Sequence, residues 1–170
     1  MKKPVMIAII AVVIVAIIVA IIVGISLNKP NKEEEGNKQQ EITDAESFKN
    51  VMQEKGYMVM DAKSQFANYS KIEKVYIATN ESYSYQIEFY QISDDAYATS
   101  FYNNNKSKFE AAKTENSVET NNDLENNSKY TLTTDDKYKA VSKVNNNIIY
   151  LDVKTEYKDT VQKILEELGF

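Results

Sequence analysis

Adjacent carboxylates stand at three places in this chain, Asp94-Asp95, Asp135-Asp136 and Glu166-Glu167. Two such groups held about 5–10 Å apart can hydrolyse a glycosidic bond, one donating a proton while the other attacks or activates water. Each pair also has a plainer reading: a helix cap, a turn and the solvated side of a helix. The plainer readings are preferred. The chain has no histidine and no cysteine, which removes Ser–His and Cys–His nucleophile pairs and ordinary zinc sites. Its Ser-x-x-Lys, from Ser26 to Lys29, sits at the end of an apolar run with no motif context for a dyad. Asn121, Asp123 and Glu125 alternate oxygen ligands, but a calcium loop needs glycine at its sixth position and glutamate at its twelfth. Asn126 and Leu132 occupy those places. The sequence therefore assigns no catalytic residue, metal site or cofactor, and the chain is read as a non-enzyme.

Tyrosine is the unusual surplus, with 12 residues against no tryptophan. Tyr76, Tyr90 and Tyr150 alternate away from the apolar positions of their strands. Exposed on a sheet, they would form a ligand or protein contact surface. The preferred reading is that a second layer covers them.

The elements that must position these residues follow from capping signals and periodicity. Thr43-Asp44-Ala45-Glu46 has the form of a capping box, Phe48, Val51 and Met52 follow at helical spacing, and Gly56 supplies a stop. A short strand is expected over 57–62. A hairpin follows, with Val75 and Ile77 inward over 74–79 and a turn at Asn80-Glu81-Ser82. In its second strand Tyr83, Tyr85, Ile87 and Phe89 face one way and Ser84, Gln86 and Glu88 the other. Ser93-Asp94-Asp95 caps a helix running to about residue 113, with Tyr97, Phe101, Phe109 and Ala112 toward the core. Residues 114–128 are polar and Asn-rich and read as a surface loop. Strands over 129–134, 138–144 and 148–153 are joined by turns at Thr134-Asp135-Asp136 and Asn145-Asn146-Asn147. A last helix carries Tyr157, Val161, Ile164, Leu165 and Leu168 and stops at Gly169. Residues 74–101 and 137–165 share a hairpin-then-helix plan, which raises a ββα repeat as an alternative. The expected fold is α+β: an antiparallel sheet in a two-layer sandwich, with helices on one face.

Ahead of this domain, residues 5–27 carry no charge and are almost all Ile, Val and Ala. As a helix they span roughly 34 Å, enough for a hydrocarbon core of about 30 Å. A cleavable signal has a shorter apolar region and a small-x-small site; Gly24-Ile25-Ser26 is a poor, late version, so an uncleaved anchor over 4–27 is expected, with cleavage after Ser26 the alternative. Lys2 and Lys3 place the three-residue stub (1–3) in the cytoplasm and the rest outside. Ala16, Ala20 and Gly24 recur every fourth residue, a small-residue face on which membrane helices pack, with another membrane protein or a second copy. Residues 28–43 form a polar flexible linker, and 44–170 the extracytoplasmic domain. From residue 44 onward 21 acidic residues stand against 15 lysines, a net of about −6. That balance argues against nucleic acid as a partner.

The C-terminal stretch "KAVSKVNNNIIYLDVKTEYKDTVQKILEELGF" resembles small membrane-anchored or lipoprotein-like extracytoplasmic proteins of Firmicutes, on Ser142, Val144, Asn145, Tyr150, Tyr157, Lys158, Asp159, Leu168, Gly169 and Phe170. Lys139 departs from the pattern, which has an aromatic or apolar residue there. The resemblance implies location and fold and brings no known active site. Residues and resemblance together give an expected function: a single-pass, membrane-anchored binding or protein-interaction domain outside the cytoplasmic membrane. A wall-acting hydrolase using paired carboxylates and a structural accessory subunit of a membrane complex are the alternatives.

Overall fold

The computed structural model describes residues 44–124 and 126–170. The anchor, the linker and the face of Ala16, Ala20 and Gly24 lie outside the described residues, as does Glu125 of the candidate calcium loop. The described chain runs α1 (Ala45–Glu54), β1 (Met58–Asp61), a 3-10 turn (Lys63–Phe66), β2 (Ile72–Thr79), β3 (Gln86–Ile92), α2 (Asp95–Glu110), β4 (Val118–Asp123), β5 (Asn127–Thr133), β6 (Lys137–Val144), β7 (Asn147–Lys154), a 3-10 turn (Thr155–Tyr157) and α3 (Lys158–Glu167). The seven strands form one antiparallel sheet in the order β1-β2-β3-β7-β6-β5-β4. The class is α+β.

The helices start and stop for local reasons. Asp44 extends its backbone and accepts the Ser47 N–H at 2.7 Å, and Asp94 does the same for Tyr97 at 2.8 Å. Each satisfies an N–H that has no partner within its helix. The cap is Asp44, and Glu46 accepts the Tyr76 hydroxyl; Thr43 of the expected capping box lies outside the described residues. Gly56 at φ 82° and Gly169 at φ 78° take the left-handed conformation that ends α1 and the turn after α3.

The expectation of helices on one face is corrected by the register. Val75 lies opposite Tyr90 and Ile77 opposite Glu88, while Tyr76 lies opposite Phe89 and Ala78 opposite Ile87. Val75 and Ile77 therefore face the other side from Ile87 and Phe89, and both rows are buried. On the first face α1 and α3 pack Phe48, Met52, Val161 and Leu165 against Phe89, Ile87, Ala140 and Leu151; Phe48 stacks on Phe89 with ring centroids 4.9 Å apart. On the second face α2 lays Phe101 on Tyr90 (4.8 Å) and Phe109 on Tyr150 (5.2 Å). The sheet is sandwiched, in three layers. The ββα repeat fails on the same observation: a dyad relating β3 to antiparallel β7 would keep both helices on one face, yet α2 and α3 lie on opposite faces.

Two further expectations change. Residues 118–123 form β4, an edge strand whose six residues are all exposed. Tyr83 and Tyr85 precede β3 and belong to the loop after β2, with Tyr83 at φ 55°. Along α2, Phe101 and Phe109 are buried as expected, Tyr97 is half-buried, and Ala112 lies beyond the helix end and is exposed. The Lys139 ammonium pairs with the Asp152 carboxylate and lies 5.5 Å from the Phe109 ring centroid, which accounts for a lysine at this apolar-looking position.

Candidate functional site

The tyrosines singled out by sequence form no common surface. Tyr76, Tyr90 and Tyr150 are 5%, 1% and 8% exposed. Tyr76 lies under α1, and its hydroxyl is pushed up to about 12 by donating to Glu46 Oε1 at 2.7 Å. Tyr90 and Tyr150 lie under α2, where burial raises both hydroxyls. A second layer covers these residues, as the preferred reading had it.

In each carboxylate pair at least one member is engaged. Asp94 caps α2 and pairs with Lys71 at 2.9 Å; Asp95 reaches Lys143 at 2.6 Å. Asp136 accepts the Thr134 hydroxyl within the β5–β6 turn, and Glu167 pairs with Lys55. Asp123 sits on β4, bound by Lys106 at 2.6 Å and by the Tyr102 hydroxyl at 2.9 Å. Among the described residues no group of three His, Cys, Asp or Glu side chains could hold a metal ion.

One carboxylate at an outward position of the strand alternation is interior. Glu88, 3% exposed, accepts Gln86 Nε2 at 2.7 Å and the Tyr90 hydroxyl. Burial holds its carboxyl above the ordinary value, opposed by those two bonds. The folded protein therefore keeps this proton to higher pH than the unfolded chain, and stability falls as pH rises from about 4.5 through the folded value. Glu88→Gln retains acceptor and donor without the charge. The variant is expected to melt higher than the parent at pH 7, with the difference shrinking toward pH 4 in thermal melts. A difference independent of pH would contradict the assignment.

A concave feature among the described residues lies at one end of the sheet. Where α1 stops, Lys55, Gly56 and Tyr57 face Asn80, Glu81 and Ser82 of the β2–β3 loop across a cleft of about 470 Å³. The loop is shaped by Asn80, whose side-chain oxygen accepts the N–H groups of Ser84 (2.8 Å) and Tyr85 (3.2 Å) while its amide donates to Ser82 Oγ (2.9 Å). Asparagine suits this task because its short side chain mimics a backbone turn. Of the tyrosines at this end of the sheet, Tyr57 lines the cleft. Tyr57 and Tyr85 join their hydroxyls, and Tyr85 packs on Tyr157 at 4.7 Å. Tyr83, 47% exposed, turns its hydroxyl toward Met58 Sδ at 3.9 Å. A space is open above Gly56, where an added Cβ would meet nothing within 4 Å.

Beside the cleft begins β1, one of the two edges of the sheet. Met58 and Met60 are 49% and 39% exposed. The Ala62 N–H donates to the Val75 carbonyl at 2.9 Å. Since antiparallel bonds alternate, Met60 and Met58 also bond inward to β2, and Val59 and Asp61 turn their N–H and C=O groups outward. Cleft, exposed tyrosine, exposed methionines and open edge are contiguous. The sequence signal for them was weak: a Tyr-Ser-Tyr following an Asn turn, and a Gly-Tyr after a helix stop. Comparison of the chain with known protein families, with curated proteins and with solved structures finds no match.

Proposed function

We propose that the chain is a single-pass membrane protein whose 44–170 domain, displayed outside the cytoplasmic membrane, is a protein-interaction module. The carrying observation is the contiguous β1 edge and hairpin-end cleft. A sheet edge with outward backbone groups and flanking apolar side chains accepts an extended segment. At least one carboxylate of each adjacent pair is engaged in a cap, a turn or an ion pair. The apolar run 4–27 and the positive stub support anchoring with the domain outside, as does the resemblance to anchored Firmicutes proteins. Ala16, Ala20 and Gly24 offer a second contact, within the bilayer. The acidic balance of the domain argues against nucleic acid.

The test uses the full chain in its own membrane. Protease added to intact spheroplasts is expected to remove the domain; protection would reverse the orientation, and release of a mature protein beginning at Leu27 would remove the anchor. A photo-cross-linking residue at Tyr83 is expected to capture protein, whereas the same residue at Lys163, exposed on α3, is not. Equal capture at both positions, or none at Tyr83, would defeat the interaction reading.

A further inference from the structure

The two edges of the sheet differ in what guards them. On β4 the outward positions are Glu119, Asn121 and Asp123, because the Leu124 N–H bonds inward to the Asn127 carbonyl. Glu119 is held by Lys113 and accepts the Tyr130 hydroxyl at 2.7 Å, and Asp123 is held by Lys106. A second β4 laid antiparallel about Asn121 would set Glu119 against Asp123 of the other copy, like charges directly opposed. Charged side chains on an edge strand repel a partner strand in this way. β1 carries no such guard over Met58-Val59-Met60.

That tripeptide also reads the same in both directions. A dyad through Val59 matches β1 to itself antiparallel: Val59, whose backbone groups point outward, exchanges both bonds with Val59 of the second copy. Met58 then lies opposite Met60, and Met60 opposite Met58, on the side of the sheet where both are exposed. Hydrogen-bonding phase and apolar side chains agree in one register, as a self-complementary two-fold contact requires. We infer that β1 pairs with β1 of a second copy of this chain, antiparallel about Val59, joining two sheets edge to edge. This rests on the interaction reading above and names the partner and the register.

The register gives the test its discrimination. Met58–Met60 would be a non-hydrogen-bonded pair, with Cα atoms about 4.5 Å apart, within disulfide range. Met58 to Met58, or Met60 to Met60, would be offset by two residues and out of range. The native chain has no cysteine. Full-length Met58→Cys and Met60→Cys proteins are reconstituted in lipid vesicles separately and as a mixture, then oxidised. The mixture is expected to yield a covalent dimer several-fold above either protein alone. Val118→Cys, exposed on the other edge, serves as the collision control and is expected to stay monomeric, and adding Met60→Lys to the Met58→Cys partner is expected to abolish the mixed dimer. No dimer in the mixture, or equal dimer in all samples, overturns self-pairing. In cells, a photo-cross-linker at Met58 separates the two levels of the argument. An adduct of twice the chain mass supports self-pairing. An adduct only of another mass overturns self-pairing and keeps the interaction reading, and no adduct removes both.

Discussion

Ile87→Asp is expected to abolish the cooperative folding of the domain. Ile87 is fully buried between α1, α3 and the sheet, in the same cluster as Phe48, Ala78 and Phe89. The substitution removes an apolar side chain and places a carboxylate within a cluster built mainly of apolar side chains. A buried charge without a partner either costs several kcal/mol or forces protonation at comparable cost. Together with the lost packing this exceeds about 4 kcal/mol, a large share of the 5–15 kcal/mol that holds a typical domain. Ile87→Val, which trims one methylene, is expected to cost about 1 kcal/mol. Urea titrations of the 44–170 domain followed by circular dichroism read both. A cooperative Ile87→Asp transition near that of the parent would mean that the cluster is not the core.

Asp95→Ala is expected to be the most damaging single change at the surface. Lys143 is 1% exposed on β6, beneath the start of α2, and its ammonium meets the Asp95 carboxylate at 2.6 Å. Asp95 also stands in the first turn of α2, where negative charge complements the helix dipole. Removing one partner of a fully buried pair costs about 3–5 kcal/mol. Asp95 is 58% exposed, so water reaches this pair and the expected loss is smaller, on the order of 2–3 kcal/mol. The control is Lys143→Met with Asp95→Asn, which removes the ion pair without leaving a buried charge; replacing such pairs with apolar groups is often neutral. Denaturation in urea should place the double variant closer to the parent than Asp95→Ala. The reverse order would show that the pair is not what Asp95 contributes.

The sequence reveals most of the elements because the local signals agree with the tertiary outcome. Asp44 and Asp94 announce the starts of α1 and α2, Gly56 and Gly169 announce the stops of α1 and α3, and the Asn turn before β7 has Asn145 at φ 52°. The layer count was harder to read. Ser84, Gln86 and Glu88 suggest a wet face on β3, yet Glu88 is buried under the second layer. The hint lay in the register: with Val75 opposite Tyr90, both faces of the hairpin are apolar, the pattern of a sheet covered on both sides. β4 was hidden for a different reason. Val-Glu-Thr-Asn-Asn-Asp is poor in strand formers, and it becomes a strand because β5 presents an edge whose backbone groups need partners. The hairpin-end cleft was illegible because Tyr83 and Tyr85 continue the alternation of β3 in sequence while the chain has already turned at Asn80.

The shortness of β1 has a quantitative consequence. Four residues turn backbone groups outward at only two positions, Val59 and Asp61. Each hydrogen bond formed contributes a net of about 0.5–1.5 kcal/mol, against roughly 4–15 kcal/mol of translational and rotational freedom lost when free molecules associate. In dilute solution such an edge stays single. The proposed anchor would supply part of the missing term in advance, because copies held in one bilayer would meet already confined and oriented. The paired fraction would then follow how many copies share a patch of membrane, and a strand too weak to dimerise alone would report crowding in two dimensions.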